Sequence, residues 1–233
     1  MKIFLTGANG FVGRHLYPLL VNSGHDVDCG FYNELPLETP DVIIHLAAVT
    51  TTSQTFLPEM YDTNIVYAHK IMQFPCRIIY ASSTSAAENT NPYAATKMYL
   101  EYLGAKHPNA TGLRFFNVYG HGNNKGIVRR ALECAKSGDK IDLYGGDNIR
   151  DFIHVSDVCR VIVGALGSPE RLIEVGTGHG MTCFEAVTYV QFVTKSYFPI
   201  NWMAGVSADM RVSVAKPGIS GCLRFEEGIK LMI

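Results

Sequence analysis

Tyr93-Ala94-Ala95-Thr96-Lys97 sets a phenol and an ammonium four residues apart. In a helix that spacing puts both side chains on one face. An ammonium held beside a tyrosine hydroxyl favours the phenolate and lowers its pKa toward that of a useful general base. Taken alone, the pair reads more often as an ordinary surface couple. Ser82-Ser83-Thr84-Ser85 follows the apolar run Arg77 to Ala81 and supplies hydroxyls at a strand's carboxyl edge. Ligands gather there in open α/β sheets, although such a segment is equally a solvated turn. A third cluster, Gly7-Ala8-Asn9-Gly10-Phe11-Val12-Gly13, has the GxxGxxG spacing of a turn that lets backbone approach a pyrophosphate. The helix after it would offer free N–H groups and a positive dipole end. Glycine turns also recur for steric reasons, so its position directly after a strand is what raises its weight.

These groups need a scaffold. Ile3-Phe4-Leu5 reads as a buried parallel strand, and Val12, Leu16, Leu19 and Leu20 follow at helical spacing. Gly24 is the expected helix stop, and Pro18 should kink that helix or loosen one turn. Further strands are expected at Val27 to Cys29, Asp41 to Leu46, Arg77 to Ala81 and Leu113 to Asn117, with helices over Glu59 to Gln73 and Tyr93 to Lys106. Strand, glycine turn, helix, strand is the order of a doubly wound parallel sheet, an α/β fold. From about Gly120 the elements shorten: strands at Ile141 to Tyr144, Ile149 to Val155, Leu172 to Val175 and Phe198 to Trp202, helices at Ile127 to Lys136 and Glu185 to Thr194. This divides the chain into a mainly nucleotide-binding part, 1–119, and a smaller lobe, 120–233, with some chain crossing back. No flexible linker separates them, so they are expected to pack together around a cleft.

Composition narrows the partners. The chain has 233 residues, 47% hydrophobic and 18% charged, enough apolar material for a sizeable core. Twenty Lys and Arg against 21 Asp and Glu leave a net charge of -1, which points to no nucleic acid and no anionic membrane. No run reaches the ~18 apolar residues of a membrane span. Met1 to Gly7 is too short an apolar stretch for a signal peptide. Six cysteines without a CxxC pair read as reduced thiols, hence a cytoplasmic protein. Eight histidines show no ligand spacing, so no metal is expected, and His45 and His154 read as structural.

Taken together, the motifs resemble the extended short-chain dehydrogenase/reductase family, the NAD-dependent nucleotide-sugar epimerases and dehydratases, in its UDP-glucose 4-epimerase-like form. Beside GxxGxxG and YxxxK, the likeness runs through His45-Leu46-Ala47-Ala48, Asn64, Arg114-Phe115-Phe116-Asn117-Val118-Tyr119-Gly120 and Arg150-Asp151-Phe152-Ile153-His154-Val155-Ser156-Asp157. It continues through Glu174-Val175-Gly176-Thr177-Gly178 to Phe225-Glu226-Glu227-Gly228-Ile229-Lys230, nearly end to end. The resemblance implies a Rossmann-like domain with NAD held by Gly7, Asn9, Gly10, Phe11, Val12, Gly13, Leu46, Ala47, Ala48, Asn64, Tyr93 and Lys97. It makes Tyr93 the catalytic base or acid, Lys97 its pKa-lowering partner and Ser83 the third member, with Thr84 as fallback. Ser83, Thr84, Asn117, Arg150 and Arg211 would meet a nucleotide-sugar substrate, Asn117 and Arg150 at its diphosphate, and the C-terminal lobe would be mainly substrate-binding. It also implies a homodimer through the YxxxK helix and the helix before it, with Met98 and Tyr102 on the outer face.

Several departures matter. Family members are usually much longer, and only some ten residues separate Cys29 from Asp41, so the third strand and its helix should be missing from a shortened sheet. The family's VYG is Ala86-Ala87-Glu88, and Ser83 lies ten residues before Tyr93, so a more open active site is expected. The acidic residue for the adenosine ribose is replaced near Phe31-Tyr32, with Asp28 and Glu34 nearest. No Lys or Arg occurs from His15 to His69, which favours NAD over NADP apart from Arg14. The arginine that often precedes a GD pair is missing before Ala208-Asp209, and Arg211 stands in.

Dehydratases of the family carry an Asp-Glu pair after the catalytic Thr, and Thr84-Ser85-Ala86 has none. The expected activity is therefore a 4-epimerase acting on a UDP-hexose through a transient 4-keto sugar. The alternatives are an NAD(P)H-dependent 4-keto-sugar reductase and a non-catalytic NAD(H)- or nucleotide-sugar-binding protein.

Overall fold

A computed structural model of the chain describes residues 1–31, 33–51, 54–88, 91–205 and 210–233. Its first elements are β1 (Lys2–Thr6), α1 (Phe11–Asn22), β2 (Asp26–Gly30), β3 (Val42–His45), α2 (Pro58–Tyr61), a π-helical stretch (Asp62–Tyr67), α3 (Ala68–Ile71), β4 (Arg77–Ser83), α4 (Pro92–Lys106) and β5 (Ala110–Phe115). There follow β6 (Asn117–Tyr119), α5 (Ile127–Ser137), β7 (Ile141–Tyr144), β8 (Ile149–His154), α6 (Val155–Gly164) and β9 (Leu172–Val175). Last come β10 (Gly180–Thr182), α7 (Cys183–Thr194), β11 (Ile200–Met203), β12 (Val212–Ser213) and α8 (Phe225–Lys230). The chain forms two compact units, Met1–Phe115 with Val158–Ile173, and Phe116–Asp157 with Glu174–Ile233.

In the first unit Ile3, Phe4, Leu5, Val42, Ile43, Ile44, Ile78 and Ile79 are all buried. Strands covered on both faces need unbroken apolar runs, and parallel strands are the ones so covered. They form a six-stranded sheet in the order β2-β1-β3-β4-β5-β9. The pairs from β2 to β5 are parallel, with Ile3 opposite Val27 and Val42. β2 is an edge strand, and no strand lies between Gly30 and Val42 among the described residues. The shortened doubly wound sheet therefore holds.

The helix signals act locally as their chemistry requires. Gly24, at φ 79°, closes α1 by donating its N–H to Val21. α1 runs unbroken from Phe11 to Asn22 with Pro18 inside it. α4 opens with the Asn91 side chain accepting from the Ala94 N–H at 2.9 Å and with Pro92 in its first turn.

Three elements differ from the sequence expectation. The apolar run from Leu113 holds two strands: β5 ends at Phe115, and β6 starts at Asn117 and pairs with β8 instead. An unbroken hydrophobic run carries no mark of where a chain changes sheets. The strand at Ile149 stops at His154 and turns directly into α6, where Val158, Cys159 and Ile162 are buried at helical spacing. The strand expected from Phe198 starts at Ile200.

The second unit has its own core of Tyr119, Val128, Leu132, Phe152, Val187 and Phe225, beneath α5, α7 and α8. Its central strand is β8, which pairs with β10, β12 and β6. At its middle, buried Asp151 accepts N–H bonds from Thr177, Gly178 and Ala215 at 2.8, 2.8 and 3.3 Å, and the Thr177 hydroxyl at 2.7 Å. One carboxylate thus fixes the turn after β9 against the chain that follows β12.

Candidate active site

The glycine turn lies between β1 and α1. Gly7 has φ 73°, and a Cβ there would stand 2.7 Å from the Ala47 nitrogen. A Cβ on Gly13 would stand 2.1 Å from the Gly7 carbonyl. Gly13 needs glycine for backbone contact inside the turn itself, and Gly7 for its positive φ and for the close approach of the 46–47 backbone. Above it opens a cavity of about 390 Å³, lined by Gly7, Ala8, Asn9, Ala47 and Ala48, together with Gly30, Phe31, Asn33, Val49, Thr63 and Tyr67. Of the sequence candidates Gly7, Asn9, Ala47 and Ala48 lie there, and Gly30, Asn33, Val49, Thr63 and Tyr67 are not among them. Gly10, Phe11, Val12, Gly13 and Leu46 shape the turn without lining this cavity. Arg14 bonds back to the Gly10 and Asn9 carbonyls at 3.3 and 3.4 Å.

Around the far end of the cavity, the Asp28 carboxylate accepts from the Cys29 N–H at 2.9 Å, and Glu34 accepts from the Phe31 N–H at 3.2 Å. Neither carboxylate lines the cavity. Tyr32 lies outside the described residues, as do Ala208 and Asp209.

Two polar residues hold the walls. Thr6 Oγ1 accepts from the Ala47 N–H at 3.1 Å and lies 2.8 Å from His45 Nδ1. Burial, reinforced by the Lys97 charge, pushes His45 down to about 3, so its ring is neutral. The Thr6 hydroxyl can then donate to a bare Nδ1. Asn64 is buried in the π-helical stretch. Its carbonyl accepts from Val49 N–H at 2.8 Å, and its amide donates to Val49 O at 2.9 Å and Thr96 Oγ1 at 3.1 Å. Asn64 is therefore a clamp on the 46–49 segment rather than a wall residue. An extra residue in a helix re-aims side chains, which is why π turns recur at functional sites.

The proposed catalytic residues come together where β4 meets α4. Tyr93 hydrogen-bonds Ser83. Lys97 donates to the Ala81 carbonyl at 2.7 Å, with its Nζ 5.7 Å from the Tyr93 ring centre. Ser83 Oγ accepts from the Ser85 N–H at 3.2 Å and lies 3.3 Å from Ser85 Oγ. Thr84 opens the 3-10 turn Thr84–Ala87 that replaces the longer loop.

Two expectations are corrected here. The short loop does not open the pair: Tyr93 is 9% and Lys97 4% exposed. Nor is the Tyr93 hydroxyl low in the ligand-free chain. Burial pushes that hydroxyl up to about 12, against the pull of the Ser83 hydrogen bond. Burial also brings Lys97 down to about 8, partly offset by Glu101. Two groups shut off from water both favour their neutral forms.

In the second unit, the three remaining candidates gather on β8. Arg150 is buried within it, opposite Met181 of β10 and Ser213 of β12. Arg211 is exposed just before β12, and its carbonyl accepts from the Ile149 N–H at 2.8 Å. Asn117 opens β6 opposite Phe152. Backbone pairing thus brings three distant segments together around β8.

A parallel sheet with a glycine cradle at the end of its first strand and a Ser, Tyr and Lys cluster at the end of another defines a dinucleotide-binding α/β protein of the Rossmann type. Residues 32–176 match the NAD dependent epimerase/dehydratase family, and the chain belongs to that family. It is 27% identical to the GDP-6-deoxy-D-talose 4-dehydrogenase of Aggregatibacter actinomycetemcomitans over 79% of this chain and 77% of the relative. It is 25% identical to the UDP-glucose 4-epimerase of Lactobacillus helveticus over 85% of this chain and 83% of the relative. Among solved structures, MoeE5 in complex with UDP-glucuronic acid and NAD is 25% identical, with TM-score 0.87 over 100% of this chain and 97% of that one. The UDP-glucose 4-epimerase of Thermotoga maritima, solved with UDP-glucose, shares the fold at 24% identity and TM-score 0.83, over 100% and 97% of the two chains.

Proposed function

We propose that this chain is an NAD-dependent nucleotide-sugar 4-epimerase, acting on a UDP-hexose through a transient 4-keto sugar. The observation that carries the reading is the buried contact of Tyr93 with Ser83, one helical turn from Lys97, with no carboxylate following at Thr84 or Ser85. The glycine turn, Asn9, Ala47 and Ala48 would hold NAD in the cavity they line, since the Gly7 and Gly13 backbones leave no room for side chains in the cradle. When bound, NAD supplies the acceptor and later donor of the hydride at the sugar's C4, together with a positive ring charge. Tyr93 takes the proton of the 4-hydroxyl as it forms the ketone and returns it as the alcohol re-forms on the other face. Ser83 steadies the 4-oxygen by a hydrogen bond, and the Lys97 charge favours the phenolate. In the ligand-free chain the phenol keeps its proton at neutral pH. The base therefore forms only once charge arrives beside it.

We assign residues 1–119 mainly to NAD and 120–233 mainly to the substrate, with Asn117 and Arg150 meeting the diphosphate and Arg211 also on the substrate. A homodimer would form through α4 and the 58–71 helical segment, on which Tyr61, Met98 and Tyr102 are exposed. Sedimentation at micromolar concentration tests this, and a monomer refutes it. No helix among the described residues is long and apolar enough to cross a membrane. A cytoplasmic location belongs to the same reading, from six cysteines without a CxxC pair.

Incubating the protein with UDP- and TDP-sugars and NAD tests the reaction. Interconversion without net NADH supports the epimerase. Stoichiometric NAD(P)H consumption marks a 4-keto-sugar reductase, and binding without turnover a non-catalytic protein. Tyr93→Phe removes the proton acceptor but keeps the ring, and should cut turnover by roughly 10²–10⁴-fold with little change in substrate binding. Ser83→Ala should cost less and Thr84→Ala least. Near-normal turnover in Tyr93→Phe would sink the mechanism, and a larger loss in Thr84→Ala than in Ser83→Ala would move the hydroxyl by one residue.

A further inference from the structure

Three successive turns of α4 are bonded to three consecutive residues of β4. Tyr93 meets Ser83, Lys97 donates to Ala81 O at 2.7 Å, and Glu101 Oε1 accepts from Ser82 Oγ at 2.6 Å. Positions 93, 97 and 101 recur every four residues, so they share one face of the helix. The first two contacts belong to the proposed chemistry, and the third has no part in it.

Glu101 is engaged on its other side as well. Arg114 of β5 donates Nε to Oε1 and Nη2 to Oε2, both at 2.7 Å, a forked pairing. Ser82 and Arg114 are partners in the parallel register of β4 and β5, so a single carboxylate ties two neighbouring strands to the helix. The two charged side chains are only 14% and 23% exposed. Taking such a pair from water costs several kcal/mol, and packed apolar side chains of similar volume would hold helix to sheet as well or better. Holding the elements together therefore does not by itself call for charge at this place.

Among the described residues, four groups are seen to bear on Lys97, with Arg114 behind Glu101. They are the Tyr93 ring and Glu101 on α4, the Ala81 carbonyl on β4 and the neutral His45 ring on β3. Glu101 is the anion among them.

We propose that Glu101 is a positioning residue for the Ser83, Tyr93 and Lys97 cluster, locking the end of β4 in register through Ser82 and keeping the Lys97 side chain charged on the Ala81 carbonyl. The inference rests on the reading of Tyr93 and Lys97 as the acting pair. Burial draws the ammonium down to about 8, so it stands close to losing its charge at working pH, and Glu101 opposes that loss. The sign follows: Lys97 is charged below its pKa, so activity that needs the charge falls as pH rises through about 8. Without Glu101 that fall begins at lower pH.

The test pairs a titration with kinetics. Lysine-15N-labelled protein, with the Lys97 signal assigned by Lys97→Arg, is titrated by NMR as wild type, Glu101→Gln, Glu101→Asp and Ser82→Ala. Glu101→Gln is expected to lower the Lys97 midpoint by about one pH unit and turnover at pH 8 by roughly fivefold. KM and NAD affinity should stay within about twofold, and the alkaline limb of kcat should move with the midpoint. Glu101→Asp should restore the midpoint, and Ser82→Ala should lower kcat without moving it. Glu101→Gln with Arg114→Met leaves no buried charge unpaired, so it serves if the single variant does not fold. An unmoved Lys97 midpoint in a folded Glu101 variant overturns the proposal, even if thermal stability falls. The titration needs no turnover, so a wild type that fails to epimerise would defeat the functional reading while leaving this one to its own result.

Discussion

Asn64→Ala is the perturbation whose cost can be worked most directly from the structure. The side chain makes three hydrogen bonds, two to Val49 and one to Thr96 Oγ1, and is 3% exposed. A neutral hydrogen bond contributes about 1 kcal/mol, and a backbone group left without a partner away from water costs about 1–3 kcal/mol. Val49 is half-buried, so water recovers part of that loss. The sum is about 2–4 kcal/mol. At about 2–4 °C per kcal/mol for a chain of this size, thermal unfolding should move down by roughly 4–16 °C. The same change releases the segment whose Ala47, Ala48 and Val49 line the cavity, so NAD affinity should fall about tenfold. Asn64→Asp should do at least as badly, because it sets a second acceptor against the Val49 carbonyl. Calorimetric unfolding with and without NAD, together with an NAD titration, measures both effects. An Asn64→Ala protein unfolding within 2 °C of wild type, with unchanged NAD affinity, would show that the clamp is not what orders this wall.

Other expectations follow from single distances. Gly13→Ala puts a methyl 2.1 Å from the Gly7 carbonyl, so the turn must open, and NAD affinity should fall at least about a hundredfold; unchanged affinity would remove the turn from the cofactor site. Gly10→Val should also abolish NAD binding with the fold retained, although a Cβ there lies at a milder 3.0 Å from the same carbonyl. His45, held near 3 in the folded chain against 6.5 ordinarily, contributes stability that is present above pH 6.5 and lost as pH falls toward 3. That loss is on the order of 4 kcal/mol, and His45→Gln should flatten it in urea unfolding between pH 7 and 4; parallel curves for the two proteins would refute it.

The first half of the sheet was legible because its strands obey a rule that acts locally. A parallel strand is covered on both faces, so Ile3-Phe4-Leu5 and Val42-Ile43-Ile44 show as apolar runs wherever they occur. The glycine turn was legible for a similar reason, since Gly13 answers to backbone atoms within the turn and Gly7 to its own positive φ, although the backbone that crowds Gly7 comes from Leu46 and Ala47. The four-residue spacing of Tyr93 and Lys97 likewise fixed their common face before any packing was known. Tertiary structure decided the rest. The break between β5 and β6 leaves no trace in Leu113 to Tyr119, because the choice of partner strand belongs to β8, 30 residues further on. Asn64 as a clamp, Thr6 on His45, and Glu101 on Ser82 and Arg114 join residues 13 to 39 positions apart, with no period to announce them. The protonation of Tyr93 was decided there too. Spacing predicts a lysine close enough to lower its pKa, but burial sets the sign, and burial is a property of everything packed around a residue rather than of the residues beside it in the chain.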